Sequence, residues 1–218
     1  MSSFNFSWLL QQLSQLLITV PAVLISLTFH EAAHGFVAWK LGDSTAKDRG
    51  RLTLNPFRHI DPMGLICMVL LRFGWAKPVP VDPRNFKRPR LGMALVAVAG
   101  PAMNLLLTLA GLFGYYGLLL YAPESAFWSA MGDFFAVVAV LSAGFCVFNL
   151  LPLPPLDGSR VLSLLLPKKW AYWLMRYERY IQIALILLLV TGLLTRPLAA
   201  VRGYLLNGME RFVKWILL

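Results

Sequence analysis

The sequence predicts an all-α polytopic membrane protein with about four transmembrane helices and a re-entrant or interfacial segment that includes a possible short strand. Of the 218 residues, 58% are hydrophobic and only 14% are charged, whereas about 25% of residues are charged in an average soluble domain. The charged residues also separate long apolar runs. The N-terminus lacks the basic region of a signal peptide, so we expect the first run to remain as a span.

A hydrocarbon core of about 30 Å requires about 20 apolar residues in a helix. The charge-free runs 8–29, 91–123 and 134–156 meet this requirement. The run 180–195 lies between two arginines and is marginal in length. We predict it as a fourth span, with flanking tyrosines and arginines that reach the membrane interface.

The segment 62–76 contains Arg72 and is too short to cross the membrane. The loops on either side, 40–58 and 77–90, each carry five cations. The positive-inside rule places both loops on one face, so the segment is predicted to dip in and return or to lie at the interface. The loop 122–133 has no Lys or Arg, which places it on the opposite face.

We predict a single membrane-embedded domain over residues 1–218, with its core at 20–160 and an amphipathic surface helix at 199–218. The formal net charge is +10. Because the cations fall in short loops beside apolar runs, topology and contact with an anionic lipid bilayer explain them. Nucleic acid is therefore not an expected partner.

His30, Glu31 and His34 form an H-E-x-x-H pattern at the end of the first apolar run. Helical residues four positions apart share a face, so both imidazoles can face one metal ion while the glutamate projects beside it. This pattern is typical of zinc metalloproteases. Chance matches and surface histidine pairs occur in soluble proteins, but ionisable groups within a span are costly and usually serve a site.

A catalytic zinc requires a third protein ligand, and the sequence favours Asp157. It ends the third apolar run, at the same predicted depth as His30. Three prolines between residues 152 and 155 interrupt the helix before it, and irregular backbone at membrane depth must be buried in protein or line a wet cavity. A helix cap or an ion pair with a neighbouring arginine is the alternative role of Asp157.

These residues resemble the site-2 protease family of intramembrane zinc metalloproteases. The resemblance rests on H-E-x-x-H at 30–34, G-P-x-x-N at 100–104 and N-x-x-P-x-P-x-x-D-G at 149–158. It implies that His30, His34 and Asp157 bind one zinc ion (Zn2+) per chain and that Glu31 is the catalytic acid and base. It also implies a short, minimal member without PDZ or CBS modules.

Two asparagines are further candidates, because a buried amide in an apolar helix needs hydrogen-bond partners. For Asn149, the resemblance implies contact with the substrate backbone, and an interhelical hydrogen bond is an equally good interpretation. For Asn104 we favour the interhelical hydrogen bond. His59 is predicted to form a loop hydrogen bond or to lie at the membrane interface rather than to approach the metal.

The segment 75–83 contains Pro78 and Pro80, which remove amide donors from one edge of an extended strand. The opposite edge keeps the amides of Val79 and Val81. These two residues are candidates for substrate binding by strand pairing. A polyproline connector is an equally good interpretation of the segment.

The predicted function is a zinc metalloendopeptidase that hydrolyses peptide bonds in or near transmembrane segments of other membrane proteins. We expect a multi-pass protein of the cell (plasma) membrane with its active site near the cytoplasmic side. A metal-ion transporter is the main alternative, but it should distribute ionisable groups through the membrane depth. A catalytically silent binding protein, the second alternative, would not need Glu31. Neither the substrate's identity nor the oligomeric state follows from the sequence.

Overall fold

The computed structural model describes residues 6–61, 63, 64 and 77–218, and the regular structure in these ranges is helical, as predicted. The α-helices of the described residues are α1 Phe6–Lys40, α2 Thr45–Asp48, α3 Pro89–Tyr121, α4 Ala126–Asn149, α5 Asp157–Leu165, α6 Lys168–Arg176, α7 Glu178–Val190 and α8 Thr195–Leu217. Two 3₁₀ turns, Pro56–Arg58 and Pro83–Asn85, lie between α2 and α3. Residues 77–82 form no regular strand within the described ranges.

Three described helices are long and apolar enough to cross a membrane: Gln12–Lys40 of α1, then α3 and α4. They correspond to the first three predicted spans, with two shifted ends. The first helix continues past residue 29 to Lys40, so the H-E-x-x-H pattern lies within a helix and not at its end. The third ends at Asn149 instead of residue 156, because the prolines that follow cannot donate to a helical ladder.

The predicted fourth span, 180–195, falls on α7 and the break that follows it, and α7 has only 13 residues. Only together are α7 and α8 apolar enough for a span, and their axes are bent by 84° at the break between them. Gly192 lies in this break with a φ of +75°, a left-handed conformation that glycine adopts without steric cost. The fold therefore contains three candidate spans, or four if the bent pair counts as one.

One face of α8 packs against α3 and α4. Val213 is fully buried beside Leu112 and Ala139, and Tyr116 Oη donates a 2.5 Å hydrogen bond to Glu210. This helix contains most of the predicted amphipathic segment 199–218. Its placement on the membrane surface stays a prediction, as do the boundaries of the predicted domain.

Small and polar residues bring α1 and α4 together. Ser26 Oγ on α1 lies 2.8 Å from Ser142 Oγ on α4, and both side chains are fully buried. Ala22 and Ala143 are also fully buried. Small side chains and interhelical hydrogen bonds are the usual means of close packing between membrane helices. With α5 packed against α3, the first residue of α5 is brought to the interface of α1 and α3.

The predicted re-entrant or interfacial segment 62–76 lies outside the described residues except for positions 63 and 64, so it stays a prediction. The residues that flank it are described. The Lys77 amide donates a 2.9 Å hydrogen bond to His59 O. The two flanks of the segment therefore lie side by side, as the prediction of both flanks on one membrane face requires.

Candidate metal centre

His30 and His34 lie on one face of α1, and both side chains are buried, with 5% and 8% of their surface exposed. Their Nε2 atoms are 3.0 Å apart. This proximity follows from their spacing, since residues four positions apart on a helix are neighbours. Two imidazoles that face each other inside an apolar bundle require a third group between or beside them.

Asp157 supplies that third group. Its Oδ2 atom lies 3.2 Å from His30 Nε2 and 3.3 Å from His34 Nε2. The chain reaches this position through the break between α4 and α5, where Gly158 is essential to the packing. A Cβ at residue 158 would lie 2.5 Å from Leu151 O, so only glycine allows the first turn of α5 to lie against the break.

The backbone of α3 forms the other wall of the cluster. A Cβ at Gly100 would lie 2.5 Å from both His30 Cε1 and His34 Nε2, so a glycine is required where α3 meets the imidazoles. One turn away on each side, Val96 O lies 2.7 Å from His34 Nδ1, and Asn104 Nδ2 lies 3.0 Å from His30 Nδ1. Positions 96, 100 and 104 share one face of α3.

These contacts determine which imidazole nitrogens carry protons. A carbonyl oxygen only accepts, so His34 Nδ1 must be protonated toward Val96 O, and Nε2 presents a lone pair. An amide oxygen and nitrogen exchange places by rotation of the side chain. Asn104 Oδ1 is buried without a partner, and rotation of the amide lets it accept from His30 Nδ1. Both Nε2 atoms are then available as metal ligands.

The arrangement fits a zinc ion. Asp157 Oδ2 is buried without a hydrogen bond of acceptable geometry, because neither facing Nε2 carries a proton in these tautomers. Zinc bonds of about 2.0–2.1 Å at tetrahedral angles separate two ligand atoms by about 3.3 Å, and the three atoms here are 3.0–3.3 Å apart. Two histidines and a carboxylate are also ligands that zinc prefers.

Asp157 contributes the carboxylate of the cluster, and a carboxylate binds a metal ion in its deprotonated form. Within the described part of the chain, His30, His34 and Asp157 are the group of His, Cys, Asp or Glu side chains compact enough to hold a metal ion.

Glu31 is half-buried on the same turn of α1, and its Oε2 accepts a 2.9 Å hydrogen bond from the Val79 amide. Val79 was predicted to bind substrate, and the structure brings it to the predicted catalytic glutamate. Its side chain is 8% exposed. Val81 is half-buried against a core cluster that contains Ala38 and Phe86. A role of either valine in substrate binding stays a prediction.

Sequence reasoning missed two side chains that hold the segment 77–85. Asp43 is fully buried and accepts hydrogen bonds from the Asp82 amide at 2.8 Å and from Asn85 Nδ2 at 2.7 Å. Arg51 Nη2 donates to Lys77 O at 2.6 Å. The D-S-T sequence at 43–45 is a turn signal, but a local signal does not identify partners about 40 residues away.

Two other candidates lie apart from the metal ligands. Asn149 Nδ2 donates a 3.0 Å hydrogen bond to Phe145 O of its own helix. Both its contact with substrate and an interhelical hydrogen bond stay predictions. His59 is 2% exposed and its Nε2 lies 2.8 Å from Thr53 O. That contact is the loop hydrogen bond predicted for it.

Comparisons with known proteins relate this chain to a family of peptidases. The sequence model of Peptidase family M50 matches residues 74–191. A Bacillus subtilis (strain 168) protein named "Putative zinc metalloprotease YwhC" is 44% identical over 176 residues, 80% of each chain. A Mycolicibacterium smegmatis protein named "Putative zinc metalloprotease Rip2" is 33% identical over 151 residues, 67% of this chain and 56% of that protein. No solved structure matches the chain.

The family match covers more than half of the chain, and the Bacillus relative shares 44% identity over most of both proteins. These findings confirm the resemblance inferred from the motifs. Together with three candidate spans, they describe a multi-pass integral membrane protein in a lipid environment. The chain belongs to peptidase family M50, the site-2 protease family.

Proposed function

We propose that this protein is an intramembrane zinc metalloprotease in which His30, His34 and Asp157 bind one zinc ion and Glu31 transfers protons. The observation that carries the proposal is the convergence of two imidazole nitrogens and one carboxylate oxygen, 3.0–3.3 Å apart, between membrane helices. Family membership and the metalloprotease names of the relatives support the same activity.

The reaction is peptide-bond hydrolysis. When bound, zinc supplies Lewis acidity that polarises the scissile carbonyl and makes water nucleophilic near neutral pH. Glu31 accepts the proton of the attacking water and delivers it to the leaving amine nitrogen. The Val79 amide donates to Oε2, which leaves Oε1 to take up and release the proton.

The substrates are transmembrane segments of other proteins. A helical substrate buries its carbonyls in its own hydrogen bonds, so it must unwind locally before it reaches Glu31. The break between α4 and α5, directly before Asp157, provides irregular backbone next to the site. Irregular backbone at membrane depth is tolerated where it lines a cavity, so this break is the proposed route for water.

The site faces the cytoplasm in this proposal. α1 and α4 are followed by the cation-rich stretches 40–58 and 160–179, which the positive-inside rule assigns to the cytoplasmic side of the plasma membrane. A metal transporter is less well supported. The buried ionisable residues of the described chain gather near one end of the bundle rather than along a pathway: His30, His34, Asp43, Arg51 and His59.

The test is the Glu31→Gln variant. Membrane proteins that accumulate in cells carrying this variant, relative to wild type, identify substrates for reconstitution. The purified variant should keep its zinc and lose turnover by about 10²–10⁴, the usual contribution of a general acid–base residue. Glu124→Gln, an exposed carboxylate on the opposite loop, is the matched control and should change neither. Undiminished cleavage by zinc-loaded Glu31→Gln would overturn the mechanism.

A further inference from the structure

A cavity of about 490 Å³ lies beside the segment 77–80. Among the described residues that line it, four carry positive charges and none is acidic: Arg49, Arg51, Arg58 and Lys77. None of these four side chains forms an ion pair within the described ranges. A concave surface with four unpaired cations has the composition of an anion-binding site.

Arg51 shows that this cavity is more than a charged surface. The residue is only 8% exposed, and its Nη2 donates to Lys77 O at 2.6 Å and to Pro78 O at 3.3 Å. Its Nε is buried without any partner. Buried charges in proteins are normally paired and buried polar atoms normally hydrogen-bonded. The guanidinium is therefore held at the cavity by the segment, and its Nε donor is unsatisfied.

The cavity is adjacent to the catalytic glutamate. Pro78 and Pro80 line it, whereas Val79 between them is buried and donates its amide proton to Glu31. Cavity and catalytic carboxylate thus both contact the stretch 78–80. The prolines offer no amide donors, so side-chain cations determine what the cavity recognises.

We propose that this cavity binds the carboxylates of an acidic juxtamembrane segment of the substrate. The inference rests on the proposed function, including the cytoplasmic position of the site. Guanidinium groups bind carboxylates through paired, charge-assisted hydrogen bonds. Most cytoplasmic flanks of membrane proteins carry Lys and Arg, which the four cations repel. The cavity therefore selects the minority of spans with Asp or Glu at that flank, through repulsion as well as attraction.

Anionic lipid headgroups are the competing occupant. Headgroup contact is expected on α6, where Trp170 and Trp173 are exposed beside Lys168 and Lys169, an aromatic and basic combination typical of membrane interfaces. The cavity instead adjoins the segment that touches Glu31. A segment of the substrate close to the bond being cleaved is positioned to enter it.

The experiment uses a single-span substrate in three versions, whose cytoplasmic flank carries Asp, Gln or Lys residues, in phosphatidylcholine vesicles. For wild type, kcat/KM should be several-fold higher with Asp than with Gln, and lowest with Lys. Arg58→Glu leaves three cations in the lining and should reduce the preference for the Asp flank over the Lys flank several-fold. It should not lose zinc, because Arg58 is exposed and far from the ligands in sequence. Lys87→Glu makes the same charge change at an exposed lysine outside the lining residues and should keep the wild-type preference.

Equal kcat/KM for the three flanks in wild type, or an undiminished preference for the Asp flank in Arg58→Glu, would overturn the inference. So would a headgroup effect, in which added phosphatidylglycerol changes turnover of all three substrates in wild type but not in Arg58→Glu. Absence of cleavage in wild type would instead contradict the proposed function. In that case, fluorescence anisotropy of the three labelled flank peptides on zinc-loaded Glu31→Gln decides: preferential binding of the Asp peptide supports the inference, and equal binding overturns it.

Discussion

The metal centre and the segment 77–85 both contact the same part of α1, but they are held in different ways. The ligands of the metal centre lie on helices, and a third helix packs its backbone against both imidazoles at Gly100. The segment has no helix before Pro83. It is held by hydrogen bonds to side chains of the preceding loop: Asp43 accepts from the Asp82 amide, and Arg51 donates to Lys77 O.

Because of this difference, we expect mutations in the two regions to affect different properties: metal binding in one, and Glu31 and substrate handling in the other. Helix packing positions many atoms at once, so loss of one ligand leaves the other two in place. The segment depends on individual hydrogen bonds, each worth about 0.5–1.5 kcal/mol. Changes in the metal centre should therefore abolish metal binding, whereas changes in the segment should alter Glu31 and substrate handling while zinc is retained.

The largest expected effect comes from removal of a metal ligand. Asp157→Ala should reduce zinc from one ion per chain to none, since two imidazoles alone bind zinc weakly. The protein should remain inserted in the membrane, because the ligands are placed by helices that form without metal. Elemental analysis of purified protein measures the zinc. Asp133→Ala, an exposed carboxylate on α4, is the control and should retain it.

Replacement of Asn104 should weaken the metal centre by a smaller amount. Asn104→Leu removes the acceptor that fixes the His30 tautomer, and loss of such a partner typically lowers metal affinity 10–100-fold. Asn104→Asp keeps an acceptor at the same position and should retain most of the affinity. Competition with a zinc chelator gives both affinities. Equal affinities in the two variants would show that the tautomer does not depend on this residue.

Disruption of the segment at Asp43 should leave zinc content unchanged. Asp43→Asn places an amide where the carboxylate accepts from the Asp82 backbone, so the segment should loosen and kcat/KM should fall. The expected loss is about tenfold, from one or two hydrogen bonds to a charged group. Asp48→Asn, on the same loop and exposed, is the matched control. Loss of zinc in Asp43→Asn would contradict the separation between the two regions.

The pH dependence of this anchor has a definite sign. Burial alone would raise the pKa of Asp43, but hydrogen bonds from Thr45, Asn85 and Asp82 lower it below its ordinary value of 3.8. A carboxyl whose pKa is lowered by folding stabilises the protein above its unfolded pKa and loses that contribution as the pH falls. The difference in thermal stability between wild type and Asp43→Asn should be constant from pH 5 to 8 and shrink only under acid conditions.

The smallest expected effect tests whether the Val79 amide acts through Glu31 or by strand pairing with substrate. Val79→Pro removes the hydrogen bond to Glu31 and should lower kcat/KM several-fold, about one hydrogen bond. Val81→Pro removes an amide on the same predicted edge that has no described contact with Glu31. It should leave kcat/KM unchanged. Equal losses in the two variants would favour strand pairing with substrate over the Glu31 contact.

The sequence predicts the metal centre better than the segment for a physical reason. His30 and His34 are related by helical periodicity, and Asp157 follows a proline break that ends a span, so composition and spacing alone indicate one depth. The partners Val96 and Asn104 depend on how α3 rotates against α1, which periodicity does not determine.

Contacts of the segment 77–85 are still harder to predict from the sequence. The bonds of Asp43 to residues 82 and 85 join loops about 40 residues apart, and each loop carries only turn signals. The bent α7–α8 pair was missed for a similar reason. Hydropathy predicts that a stretch is apolar, but the left-handed Gly192 and the packing of α8 on α3 and α4 determine its path.

X-ray absorption spectroscopy of the zinc-loaded wild type tests the central claim most directly. We predict two imidazole nitrogens and oxygen ligands at about 2.0–2.2 Å, without sulfur. Asp157→Ala should lose this signal and Glu31→Gln should keep it. A zinc–sulfur distance of about 2.3 Å, which would implicate a cysteine, or a third imidazole, which would implicate His59, would contradict the assignment of His30, His34 and Asp157 as the metal ligands.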